Sequence, residues 1–245
     1  MTVLIVTGTG TGVGKTAVTA ALAALARDRG GEVAVVKPAQ TGLAHGEPGS
    51  DTDEVRRLTG LTDLHELARF PAALSPEAAA RSAGLPPLDL HEAAGYVAKL
   101  ARSRDLVLVE GAGGLLVRYD PAGGTLAGLA GWLAAPVLLV TEPGLGTLNH
   151  TALSLEALAA RGLTLAGVVI GRWPARPGLA ERNNAADLTA LAGRPLAGAL
   201  PAGCPQAGPD GFLAAARAGL APAFGGHFDP AAFVTRTRLI QNPEI

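Results

Sequence analysis

The chain has 245 residues, 48% hydrophobic and 17% charged, which is enough to bury a full core as one α/β domain and too apolar for a disordered segment. A formal net charge of −1 lacks the basic footprint of a nucleic-acid binder. The single cysteine, Cys204, excludes a disulfide within the chain and fits a reducing, cytoplasmic setting.

Residues 3–6 (VLIV) read as a buried parallel strand. No basic segment precedes them, which argues against a signal peptide. Gly8, Gly10, Gly12 and Gly14 follow at every second position and end in Gly14-Lys15-Thr16, after which Val18, Leu22, Leu25 and Ala26 take helical spacing. Strand, glycine loop, GKT and helix form a phosphate-binding loop. Its backbone N–H groups at Thr11, Gly12, Val13 and Gly14 close on phosphate oxygens, Lys15 supplies a mobile cation, and the Thr16 hydroxyl can ligate Mg²⁺. One departure stands out: the strict pattern begins with glycine at position 9, where this chain has Thr9.

A second strand over 32–37 ends at Lys37-Pro38, on the edge of the sheet where ligands collect; alone, Lys37 also reads as a solvated strand-end lysine. The polar loop 39–50 borders that edge. Asp51 opens a helix to about Leu58, as either a first-turn charge or a second Mg²⁺ ligand. Residues 61–104 read as mainly helical, with helix starts at Ser75-Pro76-Glu77 and Asp89. A third strand, 106–109, stops at Glu110 and a run of glycines, the place of an acid that holds Mg²⁺ beside a nucleotide.

The uncharged stretch 121–141 imitates a membrane span, but its glycines and Pro136 divide it into a short helix (125–134) and a strand (136–141). A helix follows through Leu153 and Leu158, then a fifth strand (165–170) ended by Gly171-Arg172-Trp173, a helix over 181–191, a weak strand over 196–200 and a closing helix over 210–220. This rhythm predicts a doubly wound, mainly parallel sheet with helices on both faces, in a single domain over 1–222. Residues 223–245 read as a frayed or added tail. The five histidines make no metal-ligand spacing, Cys204 sits in no motif, and no nucleophile elbow occurs, so phosphoryl transfer is the chemistry the residues support.

Taken together, GTGTGVGKT (8–16), KPAQTG (37–42), EGAGGLLV (110–117) and TEPGLGTLNHT (141–151) closely resemble the dethiobiotin synthetase family, over residues 1 to about 220. The resemblance implies a homodimeric, ATP- and Mg²⁺-dependent ligase of biotin biosynthesis. It would carboxylate 7,8-diaminononanoate with CO₂ and close the ring through a carbamate and a carbamic–phosphoric anhydride. By matching position it implies Lys15 on the phosphates, Lys37 on the carbamate with Thr41 beside it, and Thr16, Asp51 and Glu110 on Mg²⁺, with Asp53 as a rival to Asp51. Gly111, Ala112, Gly113 and Gly114 would approach the substrate, and Gly146, Thr147, Leu148 and Asn149 would reach its carboxylate from a partner subunit. Gly171 stands where some members carry an adenine-reading Asn. With Arg172 and Trp173 it borders the base, so CTP or another nucleotide is expected to serve as well as ATP. The competing reading is a regulatory ATPase of the partition or septum-site class, which carries a second lysine where this chain has Gly10.

Overall fold

The computed structural model describes residues 3–239. Strands β1 (Val3–Gly8), β2 (Val33–Thr41), β3 (Leu64–Phe70), β4 (Leu106–Gly114), β5 (Val137–Thr141), β6 (Leu165–Trp173) and β7 (Gly198–Pro201) form one sheet. Their spatial order is β3-β2-β4-β1-β5-β6-β7, and every pairing between them is parallel. Helices α1 (Lys15–Asp28), α2 (Asp51–Thr59), α3 (Pro76–Ala83), α4 (Leu90–Leu100), α5 (Leu126–Trp132), α6 (Thr147–Ala160), α7 (Leu179–Ala192), α8 (Gly208–Gly219) and α9 (Pro230–Leu239) cover both faces.

Alternation along the strands assigns the two faces. Leu4 and Val6 of β1 join Leu108, Leu138 and Val140 beneath α1, α2 and α8, whereas Ile5, Val107 and Val109 face α3, α4 and α5. With both sides covered, the central strands can be apolar at every position, which explains the unbroken runs in the sequence. No helix among the described residues is long and apolar enough to cross a membrane; the uncharged stretch 121–141 holds α5 and β5.

β1 lies at the centre. The chain winds to one side through β2 and β3, returns in β4, and then builds β5 to β7 on the other side. The loops after β1, β2 and β4 therefore leave the carboxyl edge side by side at the point of reversal, where α/β sheets bind ligands.

Two expectations are corrected. The block 61–104 is not mainly helical, because Leu64–Phe70 forms edge strand β3, paired only with β2. Leu64, Leu67 and Ala68 stand three and four apart, a spacing a helix shares. Glu66 and Arg69 are tolerated because an edge strand is half-buried, and the two form an ion pair.

The segment after 222 is not a frayed tail as far as residue 239. His227 N–H donates to Arg217 O at 2.6 Å, Phe228 N–H donates to Leu220 O at 2.9 Å, and Phe228 and Phe233 are buried against α7 and β6. Apolar residues there were too sparse to show a periodicity, yet two phenylalanines carry the packing. Residues 240–245 lie outside the described residues.

Candidate active site

The glycine loop folds around close approaches that only glycine permits. A Cβ on Gly8 would lie 2.6 Å from Val13 Cγ2, and Gly12 and Gly14 take φ of +79° and +98°. Thr9 accounts for the departure from the strict pattern: it still donates its N–H to Val140 O at 2.9 Å as the strand ends, while Gly8 meets the steric demand. α1 starts at Lys15 without a side-chain cap, so its first-turn N–H groups stay free for an anion.

A cavity of about 630 Å³ opens over this helix end. Thr11, Gly12, Gly14, Lys15 and Thr16 line it on one side, with Lys37, Thr41, Asp51, Glu110, Ala112 and Gly113 facing them. Lys15 Nζ folds back to Gly10 O at 2.7 Å. Its burial and the charge of Lys37 lower its pKa from 10.5 to about 8.

Lys37, 4% exposed, forms ion pairs with Asp51 and, at 3.0 Å, with Glu110 Oε1, and donates to Gly111 O at 3.2 Å. Burial alone would lower its pKa, but the two carboxylates outweigh burial and raise it. Burial would likewise raise the Asp51 carboxyl, which the charge and hydrogen bond of Lys37 instead hold below the usual range. Thr16 Oγ1 donates to Glu110 Oε1 at 2.9 Å.

The geometry separates Asp51 from Asp53. Ser50 is the N-cap of α2 and forms a capping box with Asp53, whose carboxylate accepts from Gly49 and Ser50 and pairs with Arg56. Asp51 is thereby released from capping and faces Lys37.

Other expected residues lie around the cavity without lining it. Val13 is buried beneath the loop, Gly114 pairs with Gly8, and Gly111 reaches Lys37 by its carbonyl. Gly171 packs under the loop, where a Cβ would sit 2.2 Å from Val13 O, and Arg172 Nη1 donates to Gly12 O at 3.0 Å. The structure does not bring Trp173 to the loop; its ring stacks edge-on with Phe233 at 4.8 Å between centroids. Gly146, Thr147, Leu148 and Asn149 form the start of α6 and do not line the cavity of their own chain; the Thr147 hydroxyl is bonded to Thr141 and to Glu142 O.

Sequence reasoning gave no site role to six contributors. Gln40 Oε1 accepts the N–H of Asp51 at 3.1 Å, Leu74 to Pro76 and Val117 line the open end, and Tyr119 supports the loop after Glu110. Gln40 stood inside the KPAQTG motif, Val117 inside EGAGGLLV and Ser75-Pro76 at an expected helix start, while nothing local distinguished Leu74 or Tyr119.

A family profile described as an AAA domain matches residues 2–204. An ATP-dependent dethiobiotin synthetase of Frankia casuarinae is 64% identical over 96% of this chain and 99% of its own length. That of Streptomyces coelicolor is 56% identical over 96% and 99%. Alignments of 236 residues leave no more than nine of the 245 outside, so most of the segment after 222 lies within them.

Among solved structures, the septum site-determining protein MinD of Pyrococcus horikoshii, complexed with Mg-ADP, superposes with a TM-score of 0.52 at 18% identity, covering 98% of this chain and 96% of that one. A ParA-family ATPase of Chlorobium tepidum gives 0.53 at 14%, covering 97% and 98%. Those likenesses concern the fold. Identity over nearly the whole chain decides the family: this chain belongs to the ATP-dependent dethiobiotin synthetases.

Proposed function

We propose that this chain carboxylates 7,8-diaminononanoate and closes it to dethiobiotin at the expense of an NTP, as a C–N-forming ligase. The observation that carries the reading is Lys37, held by Asp51 and Glu110 at the end of β2 in the cavity that Lys15 also lines. Two cations in one cavity suit two anions that must meet in line, a carbamate and a γ-phosphate.

One substrate amine adds to CO₂ and loses a proton to solvent, giving a carbamate that Lys37 binds, with Thr41 beside it. The carbamate oxygen attacks the γ-phosphorus and NDP departs, while Lys15 holds the phosphates and offsets charge on the transferring group. The second amine then attacks the carbamic carbon. Phosphate leaves, a proton is lost, and the ring is closed. The backbone of Gly111 to Gly114 borders the substrate. Leu74, Pro76 and Val117 offer apolar surface at the open end of the cavity, suited to an alkyl chain.

Mg²⁺ fits the residues present. Among the described residues there is no cluster of three or more His, Cys, Asp or Glu side chains, but Thr16 and Glu110 are hydrogen-bonded, and Lys37 joins Asp51 to Glu110. A hydroxyl and two carboxylates are the hard oxygen donors that Mg²⁺ shares with phosphates and water. When bound, it would neutralise charge on the NTP phosphates.

Gly171 leaves no amide to read a base, so we expect weak discrimination between ATP and CTP. A preference for ATP of about a hundredfold in kcat/KM would overturn that expectation. The enzyme is further proposed to act in the cytoplasm as a homodimer, with residues 146–149 of the second copy reaching the substrate carboxylate.

The test measures NTP turnover with Mg²⁺ and bicarbonate, with and without the diamine, comparing ATP with CTP. Diamine-dependent turnover that yields dethiobiotin is expected, and Lys37→Met should lower kcat by about 10²-fold or more. Phosphate release indifferent to the diamine would overturn the reading.

A further inference from the structure

The peptide group between Gly111 and Ala112 is held on both edges. Its carbonyl accepts from Lys37 Nζ at 3.2 Å, and its N–H donates to Tyr119 Oη at 2.8 Å. In a trans peptide the two groups point in opposite directions, so fixing the N–H fixes where the carbonyl aims.

The sheet itself leaves that N–H unassigned. The β1–β4 ladder pairs Val6 with Glu110 and Gly8 with Gly114, so Thr7 alone stands opposite residues 111–113 and the regular ladder is interrupted there. Tyr119 supplies the missing acceptor from beneath. Its ring is fully buried in the apolar cluster with Leu115, Leu126 and Leu129. A phenol hydroxyl in such surroundings is costly unless bonded, and a phenylalanine would pack as well, so the hydroxyl itself needs a reason.

Lys37 gives that reason. An ammonium has three N–H donors, and here they meet Asp51, Glu110 and Gly111 O, so a carbamate bound by Lys37 would take the place of one carboxylate contact while the Gly111 contact is kept. The third contact sets the rotation of the ammonium between the two carboxylates. Gly111 cannot hold the plane by its own bulk, because a Cβ there would lie 2.3 Å from Leu126 Cδ2.

We propose that Tyr119 is a positioning residue for Lys37, acting through the Gly111–Ala112 peptide; this rests on the reading of Lys37 given above. Burial raises the phenol pKa, opposed by the Ala112 hydrogen bond, so the group remains protonated at neutral pH.

The test uses the full chain with three changes. Tyr119→Phe should lower kcat about tenfold at saturating NTP and diamine, with KM for NTP within about twofold of the parent. The chain has two tyrosines, so in a Tyr96→Phe background 3-fluorotyrosine enters only position 119. There it keeps the hydroxyl as a weaker acceptor, and kcat should fall by an intermediate factor at an unchanged melting temperature. Lys37→Met separates the two readings: a kcat lowered about 10²-fold or more in that variant with parental kcat in Tyr119→Phe overturns the positioning role alone, and diamine-dependent turnover within about tenfold of the parent in Lys37→Met overturns both. A joint drift of kcat, both KM values and melting temperature in Tyr119→Phe, with no response to 3-fluorotyrosine, also overturns it, since that pattern marks a purely structural hydroxyl.

Discussion

Lys15 and Lys37 are the same residue type in one cavity, and their surroundings push them in opposite directions. Lys37 stays charged because two carboxylates outweigh its burial. Burial and the neighbouring Lys37 charge lower Lys15 to about 8, with the same carboxylates only partly compensating. The sign of the consequence follows. Below about pH 8 Lys15 is already an ammonium when the NTP arrives. Above it the free enzyme holds a neutral amine, which bound phosphates would draw back to the charged form in the proposed role of Lys15. Binding at about pH 9 should therefore take up a large fraction of one proton, and binding at about pH 6.5 should take up none through this group. Titration calorimetry in two buffers of different ionisation enthalpy reads that number, and equal heats at the higher pH would refute the shift. In the unliganded protein the depressed pKa also means that this group favours the native state increasingly as pH rises from about 8 towards 10.5. The sequence made both lysines visible, one through GKT and one through its place at a strand end. It could not say which would be the weaker base, because that depends on carboxylates from β4 and α2, far away in the chain. Cys204 is settled by the same reasoning, since burial raises its thiol to about 11 and leaves it unreactive.

At the scale of elements, the end of β6 shows how backbone packing limits what a side chain can do. Gly171 lies against Val13 O and Val140, at 2.2 and 2.6 Å from where a Cβ would stand. Gly171→Asn, which adds a side-chain amide beside the base, should instead push the glycine loop out of place. We expect NTP affinity to fall about tenfold or more for ATP and CTP alike, because a backbone oxygen cannot yield as a flexible side chain would. A variant with higher ATP affinity and unchanged CTP affinity would show that the loop accommodates the amide. The strands carrying the site were legible because each is an apolar run that stops at a polar or glycine-rich segment. β3 was not, since an edge strand exposes one face and its composition then passes for a helix. Tyr119 was hidden for another reason: its partner is a backbone N–H left over by a ladder shift, which no local pattern records.

Across the whole molecule, the descent of the chain past residue 222 matters for stability. Phe233 is 7% exposed and meets Trp173 and Phe228 at 4.8 and 5.2 Å. Phe233→Ala should cost about 3 kcal/mol in urea unfolding, and a loss below about 0.5 kcal/mol would return α9 to the status of an appendage.

The proposed dimer is the larger question at this scale. Lys15 and Lys37 are the only cations lining the cavity among the described residues, and the proposed reaction assigns both to phosphate or carbamate, so in that reading the substrate carboxylate needs another partner. The start of α6 is suited to that role. Its N-cap, Gly146, offers no side-chain hydrogen bond, and although the Thr147 N–H donates to Gly144 O at 3.3 Å, no side chain caps the rest of the turn, yet residues 146–149 do not line the cavity of their own chain. A second copy would have to bring them. Leu145, 91% exposed immediately before that turn, would be covered on association, as would Leu153 (57% exposed) on the same helix. Leu145→Glu should then sediment as a monomer at concentrations where the parent is a dimer. KM for the diamine should rise by about tenfold or more, because a charge–dipole contact and a closed interface are both lost. NTP affinity should stay within about twofold, since the glycine loop is built within one chain. A monomeric parent with full ligase activity would remove the need for the second copy and return the carboxylate to the open end of the cavity, near Ser75 and the start of α3.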